Sequence, residues 1–198
     1  SEIIVVADKK NNPSWVASDL IAQAEHDEKT QCILITNNEN FAKIVKEKIS
    51  ILSKNLNKKD IIRTSLNNNG AILIVKNIEY ASKIINIIAP EHVHLQNKLA
   101  YKIFKKINNA GCIFLGAYSA EAFGDYIVGT NHILPTSGSS KFSSGLGVVD
   151  YMKRTSYVGI NKESFSKLSE NVAKMASVEN LDGHKLSIRI RQTKKKKL

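Results

Sequence analysis

Short apolar runs recur along this chain, and stretches with helical periodicity separate them. The runs are Ile3-Ile4-Val5-Val6-Ala7, Cys32-Ile33-Leu34-Ile35-Thr36, Ala71-Ile72-Leu73-Ile74-Val75 and Cys112-Ile113-Phe114-Leu115, with a shorter one at Val93-His94-Leu95. Runs this short and this apolar suit strands covered on both faces. Between the first two, Pro13 opens a helix at its preferred first position. Trp15, Val16, Leu20, Ile21 and Ala24 give that helix an apolar side, and it ends near His26-Asp27. Asn37-Asn38 can cap a second helix, with Phe41, Ile44, Val45 and Ile49 facing inward. A polar connector at 54–59, a short helix at 61–66 and an Asn67-Asn68-Asn69-Gly70 turn follow. A third long helix is expected over about 79–88, stopped by Pro90. Another is expected over 101–107. Parallel strands need such crossovers. The rhythm therefore predicts an α/β fold: a layered αβα domain with a largely parallel, incomplete Rossmann-like sheet.

The later part reads differently. Residues 137–147 are rich in Ser and Gly and predict a long loop. A strand is expected over 151–160. An amphipathic helix is expected over 162–177, with Phe165, Leu168, Val172 and Met175 on one face. A shorter helix would carry His184, Leu186 and Ile188. The expected division is an α/β domain over 1–147 and a small C-terminal helical arm over 148–198.

Composition narrows the function classes. The apolar fraction of 42% and charged fraction of 24% are ordinary for a globular protein. No apolar run approaches the roughly 18 residues of a membrane span, so no membrane partner is expected. Cys32 and Cys112 lack CxxC spacing and sit in apolar runs. They read as small buried strand residues in a reducing, cytoplasmic setting. The net charge of +11 raises nucleic acid as a partner. However, the lysines spread along helices, and only Lys194–Lys197 form a block, which reads as a solvated tail. No helix-turn-helix, zinc finger or RNA-binding signature is present, so no nucleic-acid partner is expected. A basic nucleic-acid-binding module remains the reading from a different class. The chain opens at Ser1 directly into its first apolar run, and it is expected to be the C-terminal piece of a longer protein.

The chemistry lies in polar motifs far apart in the chain. They are Gln23-Ala24-Glu25-His26, Pro90-Glu91-His92, Gly124-Asp125-Tyr126 with Asn131-His132, and Glu179-Asn180-Leu181-Asp182-Gly183-His184. Four of the five histidines fall within them. Gln23 and His26 are three apart on a helix and share a face, where an amide oxygen and an imidazole can hold a metal or simply cap the helix end. Glu91 and His92 follow the proline that ends a helix. Adjacent Glu and His can act as bases on water and on substrate, or form a surface turn. Asp125, in a Gly-Asp-Tyr turn, is a hard ligand, and His132 can complete or orient a site. Neither phosphate-binding glycine pattern, GxxxxGK[ST] or GxGxxG, occurs.

Together, these segments resemble the C-terminal half of the histidinol dehydrogenase family. The stretches that carry the resemblance include Asn12-Pro13-Ser14-Trp15-Val16-Ala17-Ser18-Asp19-Leu20, Ala22-Gln23-Ala24-Glu25-His26, Ala89-Pro90-Glu91-His92 and Gly124-Asp125-Tyr126. Others are Asn131-His132-Ile133-Leu134-Pro135-Thr136-Ser137-Gly138, Phe142-Ser143-Ser144-Gly145-Leu146, Met152-Lys153-Arg154-Thr155-Ser156 and Leu181-Asp182-Gly183-His184. The resemblance implies a zinc-dependent and NAD-dependent oxidation of L-histidinol to L-histidine in two steps through the aldehyde, in histidine biosynthesis. A close alternative is oxidation of another small alcohol on the same scaffold. It implies a zinc site of Gln23, His26, Asp125 and His184, the last supplied by the partner in a homodimer with a shared active site. It makes Glu91 and His92 the catalytic residues. It gives Ser1, Gln23, His26, His92, Asp125, Glu179, His184 and His132 to the substrate. It places the NAD site mainly in an N-terminal part outside this chain, with no cofactor-binding residue here. A chain without that part is expected to be inactive alone.

Overall fold

The computed structural model of the chain describes residues 1–192, so the basic block at 194–197 lies outside the described residues. The chain forms two compact units, Ser1–Tyr151 and a second beginning at Met152. The first holds strands β1 (Glu2–Val6), β2 (Gln31–Thr36), β3 (Ala71–Ile74), β4 (His92–Leu95) and β5 (Cys112–Leu115). Every pairing is parallel, in the order β3-β2-β1-β4-β5. The strand order thus reverses between β1 and β4, as in doubly wound sheets.

Helices α1 (Pro13–Ala24), α2 (Glu39–Leu52), α3 (Lys59–Asn69), α4 (Ala81–Ile88) and α5 (Ala100–Phe104) connect the strands. Alternation along β1 and β2 decides the two cores. Ile3, Val5, Cys32 and Leu34 pack with Val16, Leu20, Phe41, Val45 and Ile62 on one face. Ile4, Val6, Ile33 and Ile35 pack with Val93, Leu95, Ile85 and Ile103 on the other. Strands covered on both faces explain why the apolar runs lack an alternating pattern. Burying each such side chain stabilises the fold by roughly 1.5–3 kcal/mol. The α1 N-terminus is secured by Asn12, whose side chain accepts from the Ser14 N–H at 2.9 Å.

Several expectations need correction. The Asn67-Asn68-Asn69 turn is the last turn of α3, because tertiary bonds extend the helix. Ser65 Oγ donates to the Thr30 carbonyl at 2.9 Å, and Asn69 Nδ2 donates to the Glu28 carbonyl at 3.0 Å. The expected strand over 151–160 does not form. Val148–Tyr151 is a 3₁₀ turn, and the residues after it have no regular structure. Tyr157 and Val158 there are 92% and 84% exposed, so this apolar stretch has no ladder partner to make it a strand. Cys32 is buried, and burial pushes its thiol up to about 12. Cys112 is only half-buried, and its thiol is raised in the same direction by desolvation.

The second unit is a helix pair, α7 (Lys162–Val178) and α8 (Asp182–Gln192). Arg189 holds Glu170 at 2.6 Å, and Gln192 Nε2 donates to Ser169 Oγ at 2.8 Å. Asn180, with φ 57, turns the chain between them. Among the described residues, no helix is long and apolar enough to cross a membrane.

Candidate active site and metal centre

Strand β4 departs from the apolar rule on one face only. Val93 and Leu95 enter the core, while His92, His94 and the following Gln96 occupy the opposite face and are just as buried. Helix α1 answers with Asp19 and Gln23, four apart, and His26 beyond its last turn. The two polar stripes meet. His94 Nδ1 lies 2.8 Å from Asp19 Oδ2, and Gln96 Nε2 donates to the same oxygen. A polar seam therefore runs between α1 and β4, inside a core that is otherwise apolar.

The seam opens at the amino end of β4. Glu91 and His92 stand there, 8% and 4% exposed. Ala89, in the left-handed region at φ 56, and Pro90 turn the chain from α4 into them. Glu2 fixes both residues. Its N–H donates to Glu91 Oε2 at 3.1 Å, and its own Oε2 accepts from the Glu91 N–H at 3.2 Å. Its carbonyl lies 3.2 Å from His92 Nδ1. A carbonyl only accepts, so the hydrogen sits on Nδ1 and Nε2 is left as the base.

His92 Nε2 faces Glu121 Oε1 at 3.6 Å. Glu121 precedes a short helix, α6 (Ala122–Tyr126), which also carries Asp125. The expected Gly-Asp-Tyr turn is thus helical. Its Gly124 is required by packing: an added Cβ would lie 2.7 Å from the Phe114 ring. Ligand atoms of His92, Glu121 and Asp125 lie within 4.8 Å of one another.

Electrostatics mark the same place. Burial pushes the Glu121 carboxyl up to about 8, helped by the charge of Asp125 and a shared hydrogen bond with it, then by Glu91 and Asp19. Burial also holds His92 below the ordinary histidine value, against the opposing pull of Glu91. Asp125 and His26 both act on His92 through their charges. Neither amide atom of Gln23, which is wholly buried, has a hydrogen-bond partner among the described residues, and Glu121 Oε1 has none either. Crowded carboxylates, a neutral imidazole and an orphaned amide oxygen form a hard donor set that suits a divalent cation. The residues present fit a divalent cation; of the zinc ligands expected from the sequence, Asp125 stands in this cluster.

Of the residues expected in the site, the first unit gathers Glu91, His92 and Asp125, with Gln23 and His26 on the adjoining helix end. Ser1 is exposed beside Glu2, and its carbonyl accepts from the Gln31 N–H at 3.1 Å. His132 is exposed on the loop after α6, in an Asx turn where Asn131 Oδ1 accepts from the Ile133 N–H at 2.7 Å. Glu179 caps α7 and His184 lies on α8, both in the second unit. Sequence reasoning passed over Glu2 and Glu121. A signal existed for the second: Glu121 stands four residues before Asp125, and His92-x-His94-x-Gln96 places polar groups on one face of an apolar strand.

The position is unusual for this topology. Open α/β sheets commonly bind ligands outside the carboxyl ends of the strands at the reversal point. Here the functional groups stand at the amino end of β4. At the carboxyl ends of β1 and β4 the chain is bridged through Asn11. Asn11 Nδ2 donates to the Gln96 carbonyl at 2.9 Å, and Asn11 Oδ1 accepts from the Asp8 N–H at 2.9 Å. No glycine-rich turn follows β1.

A doubly wound sheet with a buried histidine–carboxylate centre at its amino edge defines an α/β protein with a candidate metal centre. Its sequence makes the class specific. Residues 1–192 match the family model described as histidinol dehydrogenase. The chain is 41% identical to the histidinol dehydrogenase of Aquifex aeolicus over 192 residues, covering 97% of this chain and 45% of that protein. It is 47% identical to that of Nitrosomonas europaea over 184 residues, covering 93% and 43%. The crystal structure of histidinol dehydrogenase from Elizabethkingia anophelis superposes with a TM-score of 0.91 at 34% identity, covering 96% of this chain and 44% of that one. The chain belongs to the histidinol dehydrogenase family, and it spans less than half the length of these relatives.

Proposed function

We propose that this chain carries the metal and substrate centre of a zinc- and NAD-dependent histidinol dehydrogenase, a cytoplasmic enzyme that oxidises L-histidinol to L-histidine through the aldehyde. The observation that carries this is the His92–Glu121–Asp125 cluster, supported by the buried amide of Gln23, which has no hydrogen-bond partner among the described residues. Gln23, His26 and Asp125 would hold the zinc, with His184 of the partner subunit completing the set. When bound, zinc supplies a Lewis acid that anchors the imidazole and amine of the substrate. NAD is the hydride acceptor of the proposed reaction, and no residue of this chain is assigned to it.

The chain's own groups do the proton chemistry. His92, neutral because burial lowers its proton affinity, takes the hydroxyl proton at Nε2. Glu2 holds the ring so that this nitrogen faces the site. Glu91 takes a proton from water as it adds to the aldehyde carbon, giving the hydrate for the second oxidation. Glu121 shares a proton with Asp125 and limits the charge gathered before a cation enters. Ser1, Glu179 and His132 complete the substrate contacts. Glu179 and His184 reach a second copy from the helical arm, so the active site is shared in a homodimer. Exposed Met175, Val178 and Leu186 on α7 and α8 suit such a face.

Calorimetry with L-histidinol tests the reading without turnover. Binding is expected only when zinc is present and is lost in Asp125→Asn. Equal binding with and without metal would overturn it.

A further inference from the structure

Asp19 and His94 stand behind the site, and none of the proposed roles uses them. His94 is wholly buried and Asp19 is 8% exposed. Both ring nitrogens of His94 are engaged. Nε2 lies 2.9 Å from the Gly116 carbonyl and Nδ1 2.8 Å from Asp19 Oδ2. The carbonyl only accepts, so Nε2 carries a hydrogen. Nδ1 shares a second hydrogen with the Asp19 carboxylate, which also accepts from Gln96.

The carbonyl that His94 grips begins a reversal of the chain. Gly116 sits at the carboxyl end of β5 with φ +90, a conformation that favours glycine. Its N–H donates to the Leu95 carbonyl at 2.9 Å, and its carbonyl accepts from the Ser119 N–H at 3.1 Å. Ser119 Oγ donates to the Leu115 carbonyl at 2.7 Å. Beyond this turn the chain runs back along the α1 side of the sheet and delivers Glu121 and Asp125 to His92. The turn therefore decides where two carboxylates of the centre stand.

We propose that Asp19 and His94 are positioning residues. They tie α1, which carries Gln23 and leads to His26, through β4, which carries His92, to the turn that leads to Glu121 and Asp125. The proposal rests on reading Glu121 and Asp125 as parts of the metal and substrate centre. The physical reason lies in the choice of groups. A buried His–Asp pair adds little net stability compared with apolar side chains of similar volume. It does specify one geometry, because each hydrogen has a single acceptor in reach. An apolar pair would fill the space and leave the Gly116 carbonyl without its grip.

The test compares His94→Leu, His94→Gln and Asp19→Asn in the 198-residue chain. Hydrogen exchange is read over residues 116–126 and, as a reference, over β1. Cobalt(II) then replaces zinc as a spectroscopic probe of the ligand geometry at Asp125. In His94→Leu, exchange over 116–126 is expected to rise at least about tenfold while β1 keeps its protection. The cobalt bands should shift and metal affinity should fall about 10–100-fold, as for other supports of metal ligands. His94→Gln keeps an N–H that can reach Gly116 and should restore most of both readouts, with Asp19→Asn between the two. If His94→Leu does not fold, the other two variants carry the same comparison. Lower thermal stability with unchanged exchange over 116–126 and unchanged cobalt bands would overturn the proposal. If the unaltered chain binds neither cobalt nor zinc, the metal reading fails by itself, while the exchange comparison still decides the brace.

Discussion

At the scale of single residues, burial sets the protonation of the groups that would react. His92 and Glu91 are neighbours with different proposed roles. In the complete enzyme, His92→Ala should slow both oxidations, by about 10²–10⁴-fold for loss of a general base. Glu91→Gln should mainly slow the aldehyde-to-acid half, because only that half needs water. Histidinaldehyde supplied as substrate isolates this half, and equal rates for unaltered enzyme and Glu91→Gln would remove Glu91 from the mechanism. Glu121 gives a stability signature in the metal-free chain. Its carboxyl titrates near 4.5 when unfolded and about 8 when folded, so the folded state holds the extra proton between these values. Its contribution is therefore full below about pH 4.5 and is lost as pH rises towards 8. Glu121→Gln should flatten that fall, on the order of a few kcal/mol across the window. Denaturant midpoints measured at several pH values check this, and an unchanged slope would refute it. His92 acts in the opposite sense: its lowered value makes protonation costly as pH falls below the ordinary histidine range.

At the scale of elements, α6 is the weakest link and the most informative. It is five residues long and lies against Phe114 only because Gly124 has no side chain. Gly124→Ala places a methyl 2.7 Å from the ring and should cost about 1–3 kcal/mol through overpacking. Because Asp125 is the next residue, zinc affinity should fall as well. Paired melting and metal titration separate the effects, and a variant that loses stability but keeps full affinity would show that α6 does not carry a ligand. Helix α1 is the sturdier support. Its capped start and buried apolar side hold Asp19 against His94 of β4.

At the scale of the whole molecule, division of labour is the issue. The chain carries the proposed ligands and bases, and none of its residues is assigned to NAD. Turnover needs a hydride acceptor held near the reacting carbon, and such positioning is worth about 7–11 kcal/mol. The 198-residue chain is therefore expected to form no NADH when given zinc, histidinol and NAD. Sustained absorbance growth, or tight NAD binding in calorimetry, would place a cofactor site within this sequence. The proposed shared site makes a second expectation. His184→Ala should weaken zinc binding by about 1 kcal/mol or more, as expected for a lost ligand, while leaving the α/β core intact. A strictly monomeric form that binds zinc as tightly as the dimer would show that the site is not shared.

The order of strands and helices was legible in the chain itself. Buried strands need continuous apolar runs, helices need a face, and Pro13, Asn38 and Pro90 punctuate them where local sterics demand. Glu91, His92 and Asp125 stood out through local motifs and family resemblance. Tertiary structure decided what no local window holds. Pairing partners extended α3 and left 151–160 without a strand. The strand order placed the amino end of β4 beside the end of α1. Glu2 became part of the centre through the pairing of β1 with β4, and Glu121 when the chain folded back after Gly116, where burial and the nearby Asp125 and Glu91 raise its proton affinity. Local chemistry is written residue by residue, but desolvation and charge coupling exist only once distant segments share the same space.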